Sequence, residues 1–405
     1  MAYQDEVEVI SALCKNKDIH TMFDGGADLL IKDCADIWGF IKDYYSQTKQ
    51  IPDIDLVATR FRDFDVVDAG PTIYHIQKLK SAYLDESLRA SVRTAANLIQ
   101  NNESGKALRQ LSSDLSTITT VTSRARDIDV TDIDDAMSYF DKLRQSAEDG
   151  CVGIKTNIAA FDACLPMGIS KGQLGVLLAY PAIGKSWLAL YFAAQAWKVG
   201  RTPMIISLEM TEHEVRNRVF TILGDGKFSH RAMSAGRLDQ NEFLQWAETE
   251  LKGKPPFKII SNEIGSETTP NLIQSKIEQY KPDIVFIDYL QLMSDNNGTS
   301  SNETVKIKNL SRELKMLAIT QQIPVIAIAS ATPDDASDLE SVPQLGQVAW
   351  SKQIAYDADF VLALGRKQNS DAIEVAFRKN RNGFLGDFIL VADFDSGRFK
   401  EYNDL

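Results

Sequence analysis

The sequence predicts an α/β fold, a sheet with helices on both faces, preceded by a small all-helical domain. Three observations predict it. From Gly172 onward, short apolar runs alternate with helical stretches. The triplet Gly184-Lys185-Ser186 stands between one such run and a helix. From Glu6 to about Ile99, bulky apolar residues recur three and four apart, and strand-like alternation is absent.

The helical character is plain in Ala35-Asp36-Ile37-Trp38-Gly39-Phe40-Ile41, and Ile51-Pro52-Asp53-Ile54 reads as a turn into a helix. Around Ser116 to Asp129 the chain turns Ser- and Thr-rich, which predicts a linker. A helix capped by Thr131 follows, with Ile133, Met137, Phe140 and Leu143 on one face. Either its own core or a neighbouring subunit covers that face. The runs Leu174–Leu178, Met204–Leu208, Ile284–Ile287 and Val325–Ala329 are apolar enough to be parallel strands buried on both faces. Helices are expected over Ser186–Val199 and Glu303–Gln321, and antiparallel strands with an Asn382-Gly383 turn over Phe360–Phe399. The expected domains are 1–115 helical, 116–150 linker with an amphipathic docking helix, and 151–405 α/β.

Bulk composition narrows the function. The 405 residues contain no membrane-length apolar run, and the acidic start lacks the parts of a signal peptide, so a cytoplasmic protein is expected. Four cysteines without a Cys-x-x-Cys pair and four scattered histidines argue against a zinc cluster and for reduced, buried thiols. A net charge of -12 argues against a broadly basic nucleic-acid binder, but allows basic groups confined to a narrow channel.

The chemistry concentrates at predicted strand ends. Pro181-Ala182-Ile183-Gly184-Lys185-Ser186 follows one strand and opens a helix, the setting of a phosphate-binding loop. Lys185 would reach the β- and γ-phosphates of ATP, and Ser186 would put its hydroxyl on Mg²⁺. The first glycine of the usual pattern is Ala179 here. Asp288 ends the run Asp283–Ile287 and is placed to hold Mg²⁺ through water. Glu209 ends another run and is placed as general base, with Thr211 and Glu214 forming a capping box just after it.

Taken in order, these segments form a wider pattern. Gly172-Gln173-Leu174, the phosphate loop, Ser207-Leu208-Glu209-Met210, Ile287-Asp288-Tyr289-Leu290-Gln291-Leu292-Met293, Asp357-Ala358-Asp359 and Lys379-Asn380-Arg381-Asn382-Gly383 succeed one another. The chain from Gly153 to Phe399 resembles the motor domain of DnaB-type replicative DNA helicases, and the Ile287–Met293 string is its most specific part. The helices before it, with Ile54-Asp55-Leu56-Val57, look like a shortened N-terminal domain of that family, and the size suggests a phage or plasmid enzyme.

The resemblance implies a RecA-like P-loop NTPase domain and a ring of six subunits that moves 5′-to-3′ on single-stranded DNA using ATP and Mg²⁺. A primase and a helicase loader are implied as further partners. It also implies nucleotide sites between subunits, with Lys379 and Arg381 supplied from the neighbour to stabilise charge on the transferred phosphoryl group. On residue types alone, that pair reads as a basic hairpin on a solvated surface. A DNA-facing loop would correspond to Gln347–Gln353, where Lys352 would meet a phosphate, Trp350 a sugar or base, and Ser351 lies between them. A core position for Trp350 is the other reading.

Two residues depart from the family pattern. Ser330 stands where the family has a Gln that senses the γ-phosphate, and Ala179 replaces a glycine. The acidic stretch Asp334–Glu340 reads as a solvated loop. Two other functions compete. One is a RecA-family ATPase of recombinase or clock type, which would lack the Asp-Tyr-Leu-Gln-Leu-Met string. The other is a degenerate loader or inhibitor of a true helicase, which the retained Glu209, Lys185 and Arg381 argue against.

Overall fold

The computed structural model describes residues 2–24, 27–122, 130–146, 152–261, 267–296, 302–333, 341–347, 353–366 and 370–402. The chain divides into two units, 1–133 and 134–405.

The first unit is helical among its described residues: α1 (Ala2–Asn16), α2 (Ile19–Asp24), α3 (Ala35–Thr48), α4 (Ile54–Arg60), α5 (Thr72–Gln100) and α6 (Ser104–Thr122). Its core takes Val7, Ile10 and Leu13 from α1, Ile37, Trp38 and Ile41 from α3, and Ile76 and Leu79 from α5. These are the three- and four-residue spacings that put side chains on one helix face. Buried Glu6 accepts the Lys32 and Cys34 amides at 3.1 and 2.7 Å, tying α1 to the start of α3. Burial pushes the Cys14 thiol up to about 11 and the Cys34 thiol up to about 12, so both are poor nucleophiles. Helix α6 runs through 116, where the Ser/Thr composition suggests a linker, and ends at Thr122. The Thr117 hydroxyl bonds the Ser113 carbonyl at 3.0 Å, so a side chain that usually competes with the backbone stays within the helix.

Helix α7 (Ile133–Ser146) starts at the last residue of the first unit and runs into the second; it is the expected amphipathic helix, and Ile133, Met137 and Phe140 are exposed on it. Next come α8 (Ala159–Cys164), β1 (Leu174–Ala179), α9 (Lys185–Lys198), β2 (Pro203–Ser207) and α10 (Glu212–Leu223). They are followed by α11 (His230–Ser234), α12 (Gln240–Glu250), β3 (Lys258–Ser261), α13 (Pro270–Tyr280), β4 (Ile284–Asp288), α14 (Glu303–Gln321) and β5 (Val325–Ser330). The chain finishes with α15 (Gln353–Asp357), β6 (Phe360–Arg366), β7 (Ala372–Asn380), β8 (Asp387–Asp393) and β9 (Arg398–Glu401).

The described strands form one nine-stranded sheet in the order β3-β2-β4-β5-β1-β6-β7-β8-β9. Strands β1 to β6 are parallel, and β7, β8 and β9 add on antiparallel. Strand β6 therefore departs from the expected antiparallel end region, because it pairs with β1 in the parallel sense. The strand β3 was not expected. Between β7 and β8 the chain uses residues 381–386 rather than a two-residue Asn382-Gly383 turn. Strands β1, β2 and β4 are buried throughout, as parallel strands covered on both faces must be. Helix α9 is buried from Trp187 to Trp197, with Phe192, Phe161, Phe360 and Phe377 packed ring against ring beneath it. That packing fixes the helix whose first turn carries Lys185 and Ser186.

Candidate active site

Strand β1 carries the chain to the carboxyl edge of the sheet, and residues 180–184 turn it into α9. Ala182 and Gly184 take positive φ, 64° and 112°. A Cβ at Gly184 would lie 2.6 Å from the Phe394 ring, so glycine is required there on two counts. Ala179 is the last residue of β1, extended and in register with Ser330, so nothing there calls for the glycine of the usual pattern. Residues 180–184 thus link a strand to a helix start, the setting in which backbone N–H groups can face an anion. Beside it, Trp187 stacks on Phe394 at 5.5 Å, and Arg366 lies over the same Phe394 ring at 5.2 Å.

Lys185 folds back over the loop and donates to the Ala179 and Tyr180 carbonyls, each at 2.9 Å. Burial lowers its ammonium to about 8, against the opposing pull of Asp288 and Glu209. Bound phosphates would return it to the charged form. The free protein loses that proton as pH rises through about 8, so nucleotide binding above this pH must take one up. Affinity for a nucleotide should then fall by up to about tenfold per pH unit. Calorimetry in two buffers of different protonation heat reads the proton directly. A flat affinity from about pH 7 to about pH 9.5 would show Lys185 charged throughout.

Asp288 ends β4 and is almost wholly buried. Desolvation raises its pKa, while a hydrogen bond from the Ser186 hydroxyl lowers it. The two residues expected at the metal are thus in contact. The Leu208 amide donates to the Asp288 carbonyl at 2.7 Å, which holds the end of β2 beside β4 and brings exposed Glu209 to the same edge. Thr211 and Glu214 form the expected capping box at the start of α10. Ser330 ends β5, and its carbonyl accepts from the Gln291 amide at 3.3 Å.

One charged group went unnoticed in the sequence. Arg218 of α10 packs over Trp187 at 5.1 Å, and burial lowers its pKa against the pull of Asp288, Glu214 and Glu209. The available signal was a basic residue next to the buried face of α10, formed by Val215, Val219 and Ile222.

Lys379 and Arg381 are not brought to this cluster. Asn380 pairs with Phe360, and Phe360 with Gly175, near the amino end of β1. From Gly175 to Ala179 the strand rises about 13 Å, so the pair sits at the opposite edge of the sheet from its own phosphate loop. Trp350, Ser351 and Lys352 lie outside the described residues. Among the described residues no group of three potential metal-ligating side chains occurs, and no helix is long and apolar enough to cross a membrane.

A probable plasmid replicative DNA helicase of Chlamydia trachomatis is 31% identical over 237 residues, 56% of this chain and 50% of that protein. The chain thus spans about half the length of that relative. The replicative DNA helicase DnaC of Bacillus subtilis is 26% identical over 362 residues, 84% of this chain and 76% of the relative. Among solved structures, an isolated ATPase domain superposes with a TM-score of 0.59 at 26% identity, covering 68% of this chain and all of that domain. The fold of a DnaB-like replicative helicase, described with its primase interactions, matches 98% of both chains with a TM-score of 0.65 at 21% identity. Residues 153–401 match the DnaB-like helicase C-terminal domain, and the chain belongs to that family.

Proposed function

We propose that this chain is a ring-forming, ATP-driven DNA helicase that moves 5′-to-3′ on single-stranded DNA and unwinds duplex at a replication fork. One observation carries the reading. The phosphate loop, Asp288 and Glu209 meet at one edge of the sheet, while Lys379 and Arg381 sit at the other. Such a subunit has half of a phosphoryl-transfer site at each edge, and only a neighbour completes it. A closed ring of identical subunits satisfies every edge.

The residues present suit ATP with Mg²⁺. A buried carboxylate bonded to a hydroxyl, beside a loop of amides and one ammonium, fits a metal held mainly by phosphate and water rather than by a protein cage. The bound metal would neutralise charge on the β- and γ-phosphates. Lys185 would hold those phosphates, Ser186 and Asp288 would hold the metal, and Glu209 would take the proton of the attacking water. Ser330, at the end of β5, would stand where the family has its γ-phosphate-sensing Gln. The exposed Ile133, Met137 and Phe140 of α7 support docking of that helix on a neighbouring subunit. The primase described with the DnaB-like structure supports a primase as partner. Single-stranded DNA as the track, a loader and the count of six subunits rest on the family.

The test is ATP hydrolysis with and without single-stranded DNA. DNA should stimulate it, and Lys185→Ala should abolish it, a loss of at least about 10² to 10³ in rate. A rate indifferent to DNA favours the loader or inhibitor reading. Near-normal turnover in Lys185→Ala removes the site itself.

A further inference from the structure

Asp359 has no part in the site described above. It is nevertheless almost fully buried, just before β6, and its carboxylate is engaged on both oxygens. One oxygen accepts the Leu174 amide at 2.8 Å and the Lys315 ammonium at 2.7 Å. The other accepts from Nη1 of Arg381 at 3.1 Å, and the Asp359 carbonyl accepts the Arg381 amide at 2.8 Å. Lys315, on α14, also donates to the Gly172 carbonyl at 2.8 Å. Asp359 thus joins the start of β1, helix α14 and the Arg381 backbone and side chain.

The chain around Arg381 is pinned as well. Asn380 donates to the Cys164 and Phe384 carbonyls, both at 2.9 Å, and the Phe384 amide donates to the same Cys164 oxygen at 2.9 Å. A side chain at Gly383 would collide with that oxygen, so only glycine lets the loop lie so close. Lys379 donates to the Ala355 and Tyr356 carbonyls at 2.8 Å each. Every anchor but one grips backbone or a neighbouring residue. Asp359 alone, among these anchors, holds the guanidinium.

We propose that Asp359 is a positioning residue for the trans-acting Arg381. The guanidinium has five N–H donors in a rigid plane. Asp359 engages one nitrogen, and the Arg381 side chain remains half exposed, at 52%. The remaining donors make no hydrogen bond among the described residues, so a phosphate of the next subunit would meet a guanidinium already anchored through one nitrogen. Lys315 offsets the second half of the carboxylate's charge, which leaves Arg381 held but not neutralised. This reading rests on the proposal that Arg381 acts across the subunit boundary.

The test is a double-mutant cycle in assembled rings with DNA present. Asp359→Asn should lower kcat about 100-fold, the cost of misplacing a reacting group by about an ångström, while KM for ATP stays unchanged. The informative member is the double variant. If Asp359 acts through Arg381, Asp359→Asn adds no further loss in an Arg381→Ala background. If it only supports the fold near β1, the two losses multiply. Asp359→Glu keeps the charge for Lys315 and the Leu174 amide but displaces it, and serves if Asp359→Asn fails to assemble; the same lack of addition is expected. Multiplying losses, a raised KM, or full activity of the Asp359 variants beside a slow Arg381→Ala overturns the positioning role alone. A normal rate in Arg381→Ala overturns the trans reading on which it rests.

Discussion

Glu209→Gln rings should bind ATP and assemble as the parent does, yet hydrolyse ATP about 10² to 10⁴ times more slowly. The expectation follows from how the residue is held. The end of β2 is bonded to β4 through Leu208 and the Asp288 carbonyl, so Glu209 is fixed by backbone rather than by side-chain partners. An amide in place of the carboxylate disturbs none of this. It removes the proton acceptor and a negative charge whose field reaches Asp288, Lys185, Arg218 and Tyr289. Without that charge, Asp288 loses one of the influences raising its pKa, so metal binding should hold or improve. Affinity for a fluorescent ATP analogue and single-turnover hydrolysis separate the two effects. A variant that binds normally and hydrolyses at the parent rate would assign the water-orienting role elsewhere.

Legibility in the sequence followed the range of the forces involved. Strands β1, β2, β4 and β5 were readable because burial on both faces leaves an unbroken apolar run. Strand β3 was not, since its four residues include Lys258 and Ser261 and all are only half buried at the sheet edge. The phosphate loop was legible because its function is written in backbone geometry, which glycine and the strand-loop-helix order betray. The Asn382-Gly383 turn was misread because Gly383 serves a distant partner, the Cys164 carbonyl, rather than a hairpin. Arg218 and Asp359 escaped functional assignment for the same reason. Nothing local marks a charged residue whose partners lie tens or hundreds of positions away, as Leu174 lies from Asp359. The motif Asp357-Ala358-Asp359 was visible as a pattern, but what it holds depends on the sheet order that places β6 beside β1.

Arg381→Ala rings should assemble and bind ATP but hydrolyse it about 10³ to 10⁵ times more slowly, the range set by a charge supplied to a phosphoryl transition state. Alanine removes a planar, permanently charged group, and the nearby Lys315 ammonium is already held by Asp359 and the Gly172 carbonyl. Lys379 cannot replace it while its ammonium is engaged by the Ala355 and Tyr356 carbonyls. Mixing decides whether the group acts on its own subunit or the next. Lys185→Ala subunits have inactive phosphate loops but intact Arg381. Arg381→Ala subunits have the reverse. Neither homogeneous ring contains a complete site, but a mixed ring brings intact loops against intact arginines at some boundaries, and hydrolysis should return there. Recovery requires the two to be combined before assembly, since preformed rings need not exchange subunits. It should be partial, because a ring that fires in sequence stalls at its first dead boundary. A cis role predicts the opposite, with no complete site at any mixing ratio. Confirmed co-assembly without recovery would therefore place Arg381 outside the neighbour's site, and normal hydrolysis by Arg381→Ala alone would remove it from catalysis.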